Sequence, residues 1–325
     1  MWEKKMAAEI TIRENDMAEM AYVGATPWHG LGQNLPENTS IEEWQKAAGL
    51  DWRLERSPVM CMQDGMLVQV PNSDVLYRSD NGKPLSIVSG NYKEVQPEKV
   101  LHFFSDLVES YGFRMETAGS LREGRRIWAL ARTGQEGFVV NGDKVKSYLL
   151  LSTSCDGSLA TTAMFTTIRV VCSNTLQYSI REDGMDAVRV RHCSVFDPVN
   201  TKKDLGIYAT RSFDTFMADM RRMAEKPVSN YQAEKMLMKL FADSRSEKPV
   251  TEMKGFRTIM DLFNGAGRGS DMDGVQGTAW GLINAVTEYA DYHARAKSQD
   301  YRLNNAWFGR TADLKEQIVQ LAMAA

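Results

Sequence analysis

Four Asn-Gly or Asp-Gly pairs separate short apolar runs in the first half of the chain, and they constrain the fold more than any other feature. These pairs are Asp64-Gly65, Asn81-Gly82, Asn141-Gly142 and Asp156-Gly157. Such pairs tolerate the positive φ angles that two-residue hairpin turns require. The runs between them are rich in β-branched and aromatic residues, which favour strands. Residues 51–200 are therefore predicted to form a β-rich core of antiparallel hairpins.

Helical periodicity interrupts this core once and dominates after it. Apolar residues from Val100 to Tyr111 follow Pro97 at helical spacing, which predicts one helix covering the sheet. Residues 201–325 have an apolar period near 3.6, and Ser229 with Gln232 forms a capping-box pattern. The predicted fold class is α+β: an antiparallel, hairpin-rich sheet with a covering helix, followed by a helical C-terminal region.

Residues 1–50 differ from the rest in charge and are predicted to form an N-terminal arm. They contain four basic and eight acidic side chains. Ser40 and Glu43 form a capping box that predicts a short helix around Trp44. The apolar residues Trp28, Leu31 and Trp44 are candidate interface residues. We expect an acidic arm beside a more basic sheet to join copies of the chain into a homo-oligomeric ring or filament.

Composition excludes several classes of protein. The chain has 325 residues, 43% of them hydrophobic, and a net charge of −3, so it is not uniformly basic. Its four cysteines are widely spaced, which predicts neither a disulfide framework nor a zinc site. An apolar signal-peptide core and an apolar run of membrane-spanning length are both missing. We therefore expect a cytoplasmic protein without a membrane partner.

The glycine-rich segment 264–274 does not match a known phosphate-binding or calcium-binding motif. It lacks the Walker A pattern, and no predicted strand precedes it as a dinucleotide-binding loop requires. Asp271 and Asp273 resemble the start of a calcium loop, but the later ligands are missing. The segment is predicted to be a polar loop, and no metal or cofactor is expected.

Four residues are the candidates for a catalytic site. Glu116 and Asp156 are acidic residues near predicted strand ends, and Cys155 with His192 would be a thiol nucleophile and base in a hydrolase. Their spacing matches no catalytic motif. We therefore predict that Cys155 and His192 are structural and that the chain has no catalytic residues.

The basic residues of the β-rich core are more informative. Residues 111–192 contain eleven Lys or Arg and eight Asp or Glu, so this part of an acidic protein is net positive. Alternation places Arg126, Trp128 and Arg132 on one strand face, and Arg189 with Arg191 on another. Such a face suits a groove that follows a nucleic-acid backbone and stacks bases. A solvated sheet face with ordinary charge pairs is the alternative. The predicted nucleic-acid-binding residues are Arg122, Arg125, Arg126, Trp128, Arg132, Lys144, Lys146, Tyr148, Arg169, Arg189 and Arg191.

Several segments, in order along nearly the whole chain, resemble the phage/plasmid-like proteins of domain-of-unknown-function family 932. The matching segments are PWHGLG (27–32), SGNYKEVQP (89–97), ETAGSLREGRRIWALA (116–131), YLLLSTSCDGSLA (148–160), TTIRVVCSNTL (166–176), RHCSVFD (191–197), GTAWGLINAVTEYADYH (277–293) and AWFGRTADLK (306–315). One departure is Cys155, where the family pattern has His. The resemblance implies a bacterial mobile-element context and a protein that acts on DNA.

The hairpin-rich architecture is also similar to that of phage single-strand annealing recombinases, an analogy at the level of fold. We therefore expect a prophage, phage or plasmid DNA-binding protein of recombination or replication. It would bind single-stranded DNA, and annealing of complementary strands without nucleotide hydrolysis is a further expectation. A nuclease or thiol-dependent hydrolase is one alternative. A structural or interaction protein, such as a host-defence antagonist, is another.

Overall fold

The computed structural model describes residues 10–13, 16–24, 30–171, 174–177, 188–190, 192, 198–242, 248–295 and 299–325. The chain forms two compact units that interleave in sequence. Unit 1 consists of Met1–Thr133, Leu149–Met164 and Ala187–Ile207, and unit 2 of Gly134–Tyr148, Phe165–Asp186 and Tyr208–Ala325. The expected boundaries at residues 50 and 200 are not boundaries of these units, because the chain passes between the units several times.

The described strands form two sheets. In chain order the strands are β1 (Met20–Val23), β2 (Gln33–Leu35), β3 (Leu54–Gln63), β4 (Met66–Arg78), β5 (Pro84–Ser89), β6 (Arg114–Leu121), β7 (Arg126–Phe138), β8 (Lys144–Ser154), β9 (Thr161–Arg169), β10 (Asn174–Gln177) and β11 (Val188–Val190). One sheet has the order β10-β9-β8-β7-β6-β1-β2, with β11 also paired to β9, and the other has the order β3-β4-β5. The pairings β1–β6, β3–β4, β4–β5 and β6–β7 are antiparallel, whereas β1 and β2 are parallel.

The described helices lie mostly in the C-terminal half. They are α1 (Ile41–Ala47), α2 (Pro97–Tyr111), α3 (Pro198–Glu225), α4 (Asn230–Leu240), α5 (Lys254–Asp261), α6 (Ala279–Glu288), α7 (Gln299–Phe308) and α8 (Arg310–Ala324). Short π-helical segments extend α5 at Leu262–Ala266 and α6 at Tyr289–His293. This arrangement of antiparallel strands followed by helices confirms the predicted α+β class. Among the described residues, no helix combines the length and hydropathy needed to cross a bilayer.

Local sequence signals account for several of these elements. The capping boxes at Ser40 and Ser229 are both formed, and α1 and α4 begin directly after them. Asp64 and Gly65 have φ angles of 48° and 80°, as the tight turn between β3 and β4 requires. Helix α2 begins at Pro97 and packs against α1 and β6. These predictions from the sequence are confirmed.

Each unit has its own buried apolar residues. In unit 1 the largest fully buried side chains include Trp128, Phe103 and Leu101. In unit 2 helices α3, α4, α6 and α8 surround a cluster that contains Phe216, Trp280 and Ile318. Each of these side chains is removed from water and contributes about 2–3 kcal/mol of hydrophobic free energy.

Candidate anion-binding cleft

The antiparallel register of β6 and β7 brings two arginines together in unit 1. Arg114, the first residue of β6, is the direct cross-strand partner of Arg132 on β7. Directly opposed residues of an antiparallel pair project from the same face of the sheet. Like charges in this position repel each other, so the pair is unfavourable unless anions lie nearby. The register therefore concentrates positive charge at one end of the β6–β7 hairpin.

Both arginines line a cleft with a volume of about 260 Å³. The opposite wall is the segment from Glu37 to Ile41, which leads into α1, and Trp44 of α1 also lines the cleft. This wall is held in place locally, because Thr39 donates a hydrogen bond to the Pro36 carbonyl at 2.7 Å and Ser40 caps α1. The cleft is therefore built from elements with defined positions.

Carboxylates accompany the two guanidinium groups. Arg132 forms an ion pair with Glu116, which lies at the register shift between Met115 and Thr117. Arg114 lies 3.5 Å from the Glu37 carboxylate, and both of these side chains are more than half exposed. An exposed ion pair such as Arg114–Glu37 contributes about 0–1 kcal/mol. The side chains of Arg132 and Glu116 are only 28% and 23% exposed, so their pair is not of this kind. A phosphate group can therefore compete with Glu37 for the Arg114 guanidinium at little energetic cost.

Arg132 and Trp44 were predicted to be functional, whereas Arg114 was missed. Trp44 lines the cleft, and because it is only 2% exposed it also belongs to the core of unit 1. This burial contradicts its expected role as an exposed interface anchor. Leu31 is half-buried, and Trp28 lies outside the described residues. A signal for Arg114 existed in the sequence, because pairing the strands across the turn after Leu121 places it near Arg132.

Other predicted contact residues lie on the surface of one unit or the other. In unit 1 Arg122 is half-buried with its guanidinium 3.9 Å from Asp156, and Arg125 donates a hydrogen bond to the Leu85 carbonyl. In unit 2 Lys144 forms an ion pair with Glu136 at 2.5 Å, and Lys146 is half-buried. The side chain of Arg189 and the whole of Arg191 lie outside the part of the chain that is described.

Three predicted contact residues are buried near the start of β7 and in β8, which contradicts their expected exposure. Trp128 is 1% exposed and Tyr148 is 3% exposed, so neither ring is available to stack on a base. Arg126 is 6% exposed and donates a hydrogen bond to Ser158 at 3.0 Å. Arg126, Trp128 and Arg132 do share a strand face, but only its Arg132 end opens to solvent. Alternation fixes the face of a side chain, and neighbouring layers determine whether that face is covered.

Arg169 is also buried, in unit 2, and this contradicts its expected contact with phosphate. Its Nε lies 2.6 Å from Asp143, and its terminal nitrogens donate hydrogen bonds to the carbonyls of Arg268 and Gly269. The second oxygen of Asp143 accepts the indole N–H of Trp280 at 2.8 Å. This network ties β9 to the loop after α5 and to α6, so Arg169 holds the unit together.

The residues of the alternative enzyme hypothesis occupy structural positions. Burial raises the pKa of the Cys155 thiol well above its ordinary value, with Asp156 adding to the shift, so the thiolate is disfavoured. The ring nitrogens of His192 lie 3.0 Å and 2.9 Å from the carbonyl oxygens of Lys93 and Leu159. The His192 ring also stacks on Tyr92, at 4.7 Å between centroids. These contacts are those of residues that fasten segments of unit 1 together.

Metal-binding side chains do not cluster in the described ranges. No group of three or more His, Cys, Asp or Glu side chains there is placed to hold a metal ion. The cleft offers guanidinium, hydroxyl and amide groups together with the Glu37 carboxylate. The two guanidinium groups are the part of this lining that can bind a phosphate or carboxylate group.

Comparison with known proteins identifies a family. Searches of the curated proteins and of the solved structures found no match. A family model described as a domain of unknown function, DUF932, matches residues 84–307. The match covers more than half of the chain and includes both Arg114 and Arg132. The chain therefore belongs to the DUF932 family.

Proposed function

We propose that this chain binds single-stranded DNA at the cleft between β6, β7 and α1, as an accessory protein of recombination or replication. The observation that carries the proposal is the cross-strand pair Arg114 and Arg132, which lines a cleft of about 260 Å³. Guanidinium groups bind phosphate with two parallel hydrogen bonds, which lysine does not provide. A cleft of this size admits a phosphate with its sugar, and a flexible single strand can enter it.

Further cations lie at the other end of the same hairpin. Arg122 and Arg125 belong to the turn between β6 and β7, and the eight residues of β6 separate them from the cleft. At about 3.3 Å per residue this distance is roughly 25 Å. A single strand that follows the hairpin would therefore meet a pair of arginines at each end. Such backbone contacts carry little base specificity.

The contacts are electrostatic, and this determines how DNA binding responds to salt. Each neutralised phosphate of a single strand contributes about −0.7 to the slope of log affinity against log salt concentration. Binding of this type needs no nucleotide, and the sequence has no Walker A pattern. We extend the proposal to annealing of complementary strands without ATP hydrolysis, in the cytoplasm of a bacterium that carries a phage, prophage or plasmid.

Fluorescence anisotropy with a labelled oligothymidylate, measured over a series of salt concentrations, tests the cleft. Replacing both cleft arginines, Arg114→Ala with Arg132→Ala, should weaken binding and reduce the salt slope by about 1.4. Arg53→Ala is the matched control, because Arg53 is exposed in the same unit and does not line the cleft. The control should bind like the original chain.

Three results would contradict the proposal. One is no binding of the oligothymidylate at low salt. Another is an unchanged affinity and slope for the folded double variant. The third is cleavage of the oligonucleotide in the presence of a divalent cation, which would favour a nuclease. A strand-annealing assay with complementary labelled oligonucleotides, with and without ATP, tests the extension separately.

A further inference from the structure

The hairpin of β3 and β4 ends in an arm, residues 59–70, that extends beyond the rest of its sheet. β5 pairs with β4 only from Ser73 to Tyr77, so the arm is two-stranded in the described structure. The β3–β4 register changes at its base, where Pro58 pairs with Asp74 but Met60 pairs with Gln69. An isolated two-stranded hairpin is only marginally stable in water. The arm therefore gains stability from any surface that packs against it.

The arm is apolar and almost uncharged. Five of the fourteen exposed large hydrophobic side chains among the described residues lie between positions 60 and 68: Met60, Met62, Met66, Leu67 and Val68. Asp64, in the turn, is the only acidic residue of the arm, and the arm contains no Lys, Arg or His. A surface without cations does not suit a nucleic-acid backbone. It suits an equally apolar partner.

The edge of β3 is blocked at its base, whereas along the arm no strand of the described part of the chain pairs with it. The Gln96 side chain accepts a hydrogen bond from the Leu54 N–H at 2.9 Å and donates one to the Leu54 carbonyl at 3.1 Å. Arg56, which is also on β3, donates hydrogen bonds to Glu94 and to the Tyr92 carbonyl. A strand added to this edge must therefore pair beyond these residues, along Val59–Gln63. Open edges of this kind are templates for pairing with another chain.

We propose that the arm is a dimerisation element, in which β3 of one copy pairs antiparallel with β3 of a second copy across a two-fold axis beside Cys61. Cys61 is the middle residue of the open edge, so this axis pairs the whole of Val59–Gln63 with itself. A two-fold interface uses the same surface on both copies, so one edge strand from each copy is enough to form it.

The exposed apolar side chains of the arm support this choice of partner. The half to two-thirds exposure of its methionine and leucine side chains amounts to on the order of 500 Å² of surface, comparable to the largest apolar patch of a typical monomer. An axis beside Cys61 places Met60 of each copy opposite Met62 of the other, so the exposed side chains of β3 cover one another across the seam. The proposal is independent of the DNA-binding cleft, because none of the residues lining the cleft lies in the arm.

Sedimentation of the full chain over a hundredfold range of micromolar concentrations tests the dimer. The original chain should sediment as a dimer, and Met62→Lys with Leu67→Glu should sediment as a monomer throughout. Met62 and Leu67 are direct cross-strand partners, so the opposite charges preserve the hairpin while opposing burial in an interface. Met238→Lys is the control, because Met238 is half-exposed on α4, and it should remain dimeric.

Cross-linking tests the position of the axis. A short bismaleimide should join two copies through Cys61, and Cys61→Ser should abolish the covalent dimer. A monomer at every concentration, a dimer that survives the charge substitutions, or a dimer that Cys61 does not cross-link would each overturn the proposal. Binding of a monomer to phosphatidylcholine vesicles that the charge substitutions abolish would also overturn it, because a bilayer would then be the partner of the arm.

Discussion

Replacement of Asp143 by alanine should destabilise unit 2 strongly, because it removes the centre of a buried network. Asp143 is fully buried, Arg169 is 3% exposed and Trp280 is 1% exposed. The carboxylate neutralises the guanidinium at 2.6 Å and accepts the indole N–H at 2.8 Å. Without Asp143 the Arg169 charge stays buried and loses the carboxylate that neutralises it.

The magnitude follows from these contacts. Breaking a buried ion pair by removing one partner costs about 3–5 kcal/mol. Unit 2 contains about 150 residues, for which 1 kcal/mol corresponds to a shift in melting temperature of about 2–4 °C. A decrease of roughly 10 °C is therefore expected. Arg169→Met should have a similar effect, since it leaves the Asp143 carboxylate buried.

The double variant, Asp143→Ala with Arg169→Met, separates the ion pair from the loss of packing. It removes both charges, so its cost should be smaller than the sum of the two single costs by about 1–3 kcal/mol. Urea denaturation followed by tryptophan fluorescence and circular dichroism measures all three free energies of unfolding. Arg211→Met, at an exposed arginine of the same unit, is the control and should change stability by less than about 0.5 kcal/mol.

Two outcomes would refute this reasoning. If Asp143→Ala costs less than about 1 kcal/mol, the network does not hold the loop after α5 in place. If the folded Arg169→Met variant keeps its stability but has a reduced salt slope for oligonucleotide binding, Arg169 contacts phosphate instead. The expected result is the reverse, with stability lost and the slope unchanged.

Three further outcomes follow from burial and charge. Trp128→Ala should cost about 3–5 kcal/mol, because it empties a fully buried site, while oligonucleotide affinity of the folded fraction stays constant; unchanged stability with lost binding would contradict this. Native alkylation followed by site-resolved mass spectrometry should modify half-exposed Cys61 well before Cys155, whose raised pKa and burial disfavour the thiolate; equal rates would be inconsistent with the structure. Burial lowers the pKa of Lys315 in the folded chain, despite its ion pair with Asp291. Just below pH 10.5, Lys315 is therefore protonated to a greater extent in the unfolded chain than in the folded chain. Stability should therefore rise with pH toward 10.5 relative to Lys315→Met, and parallel pH profiles of the two proteins in urea denaturation would refute the assignment.

Much of the local structure could be predicted because its causes lie within a few residues of one another. Asp64-Gly65 forms its turn through backbone preferences of those two residues, and Ser40 caps α1 through a contact three positions away. Pro97 begins α2 for the same local reason. The family was also recognisable from short segments, and the family match over residues 84–307 confirmed it.

The candidate site was only partly predictable, because it depends on strand register and on the approach of α1. Arg132 was identified from its strand, but Arg114 acquired significance only as its cross-strand partner. The wall from Glu37 to Ile41 comes from a distant part of the chain, and no pattern near Arg132 indicates it. Pairing across a sheet and packing of a remote helix are tertiary events.

The sequence by itself determined several turns and helix starts, which residues share a strand face, and that positive charge concentrates in the β-rich region. It did not indicate β1 and β2, which lie within the predicted N-terminal arm. Only the tertiary structure decided which of those charges meet solvent. Arg126 and Arg169 are buried and Arg132 opens to a cleft, although all three lie on strands. The physical reason is that alternation orients a side chain, whereas burial depends on the layer that packs over it. That layer consists of residues far away in the chain.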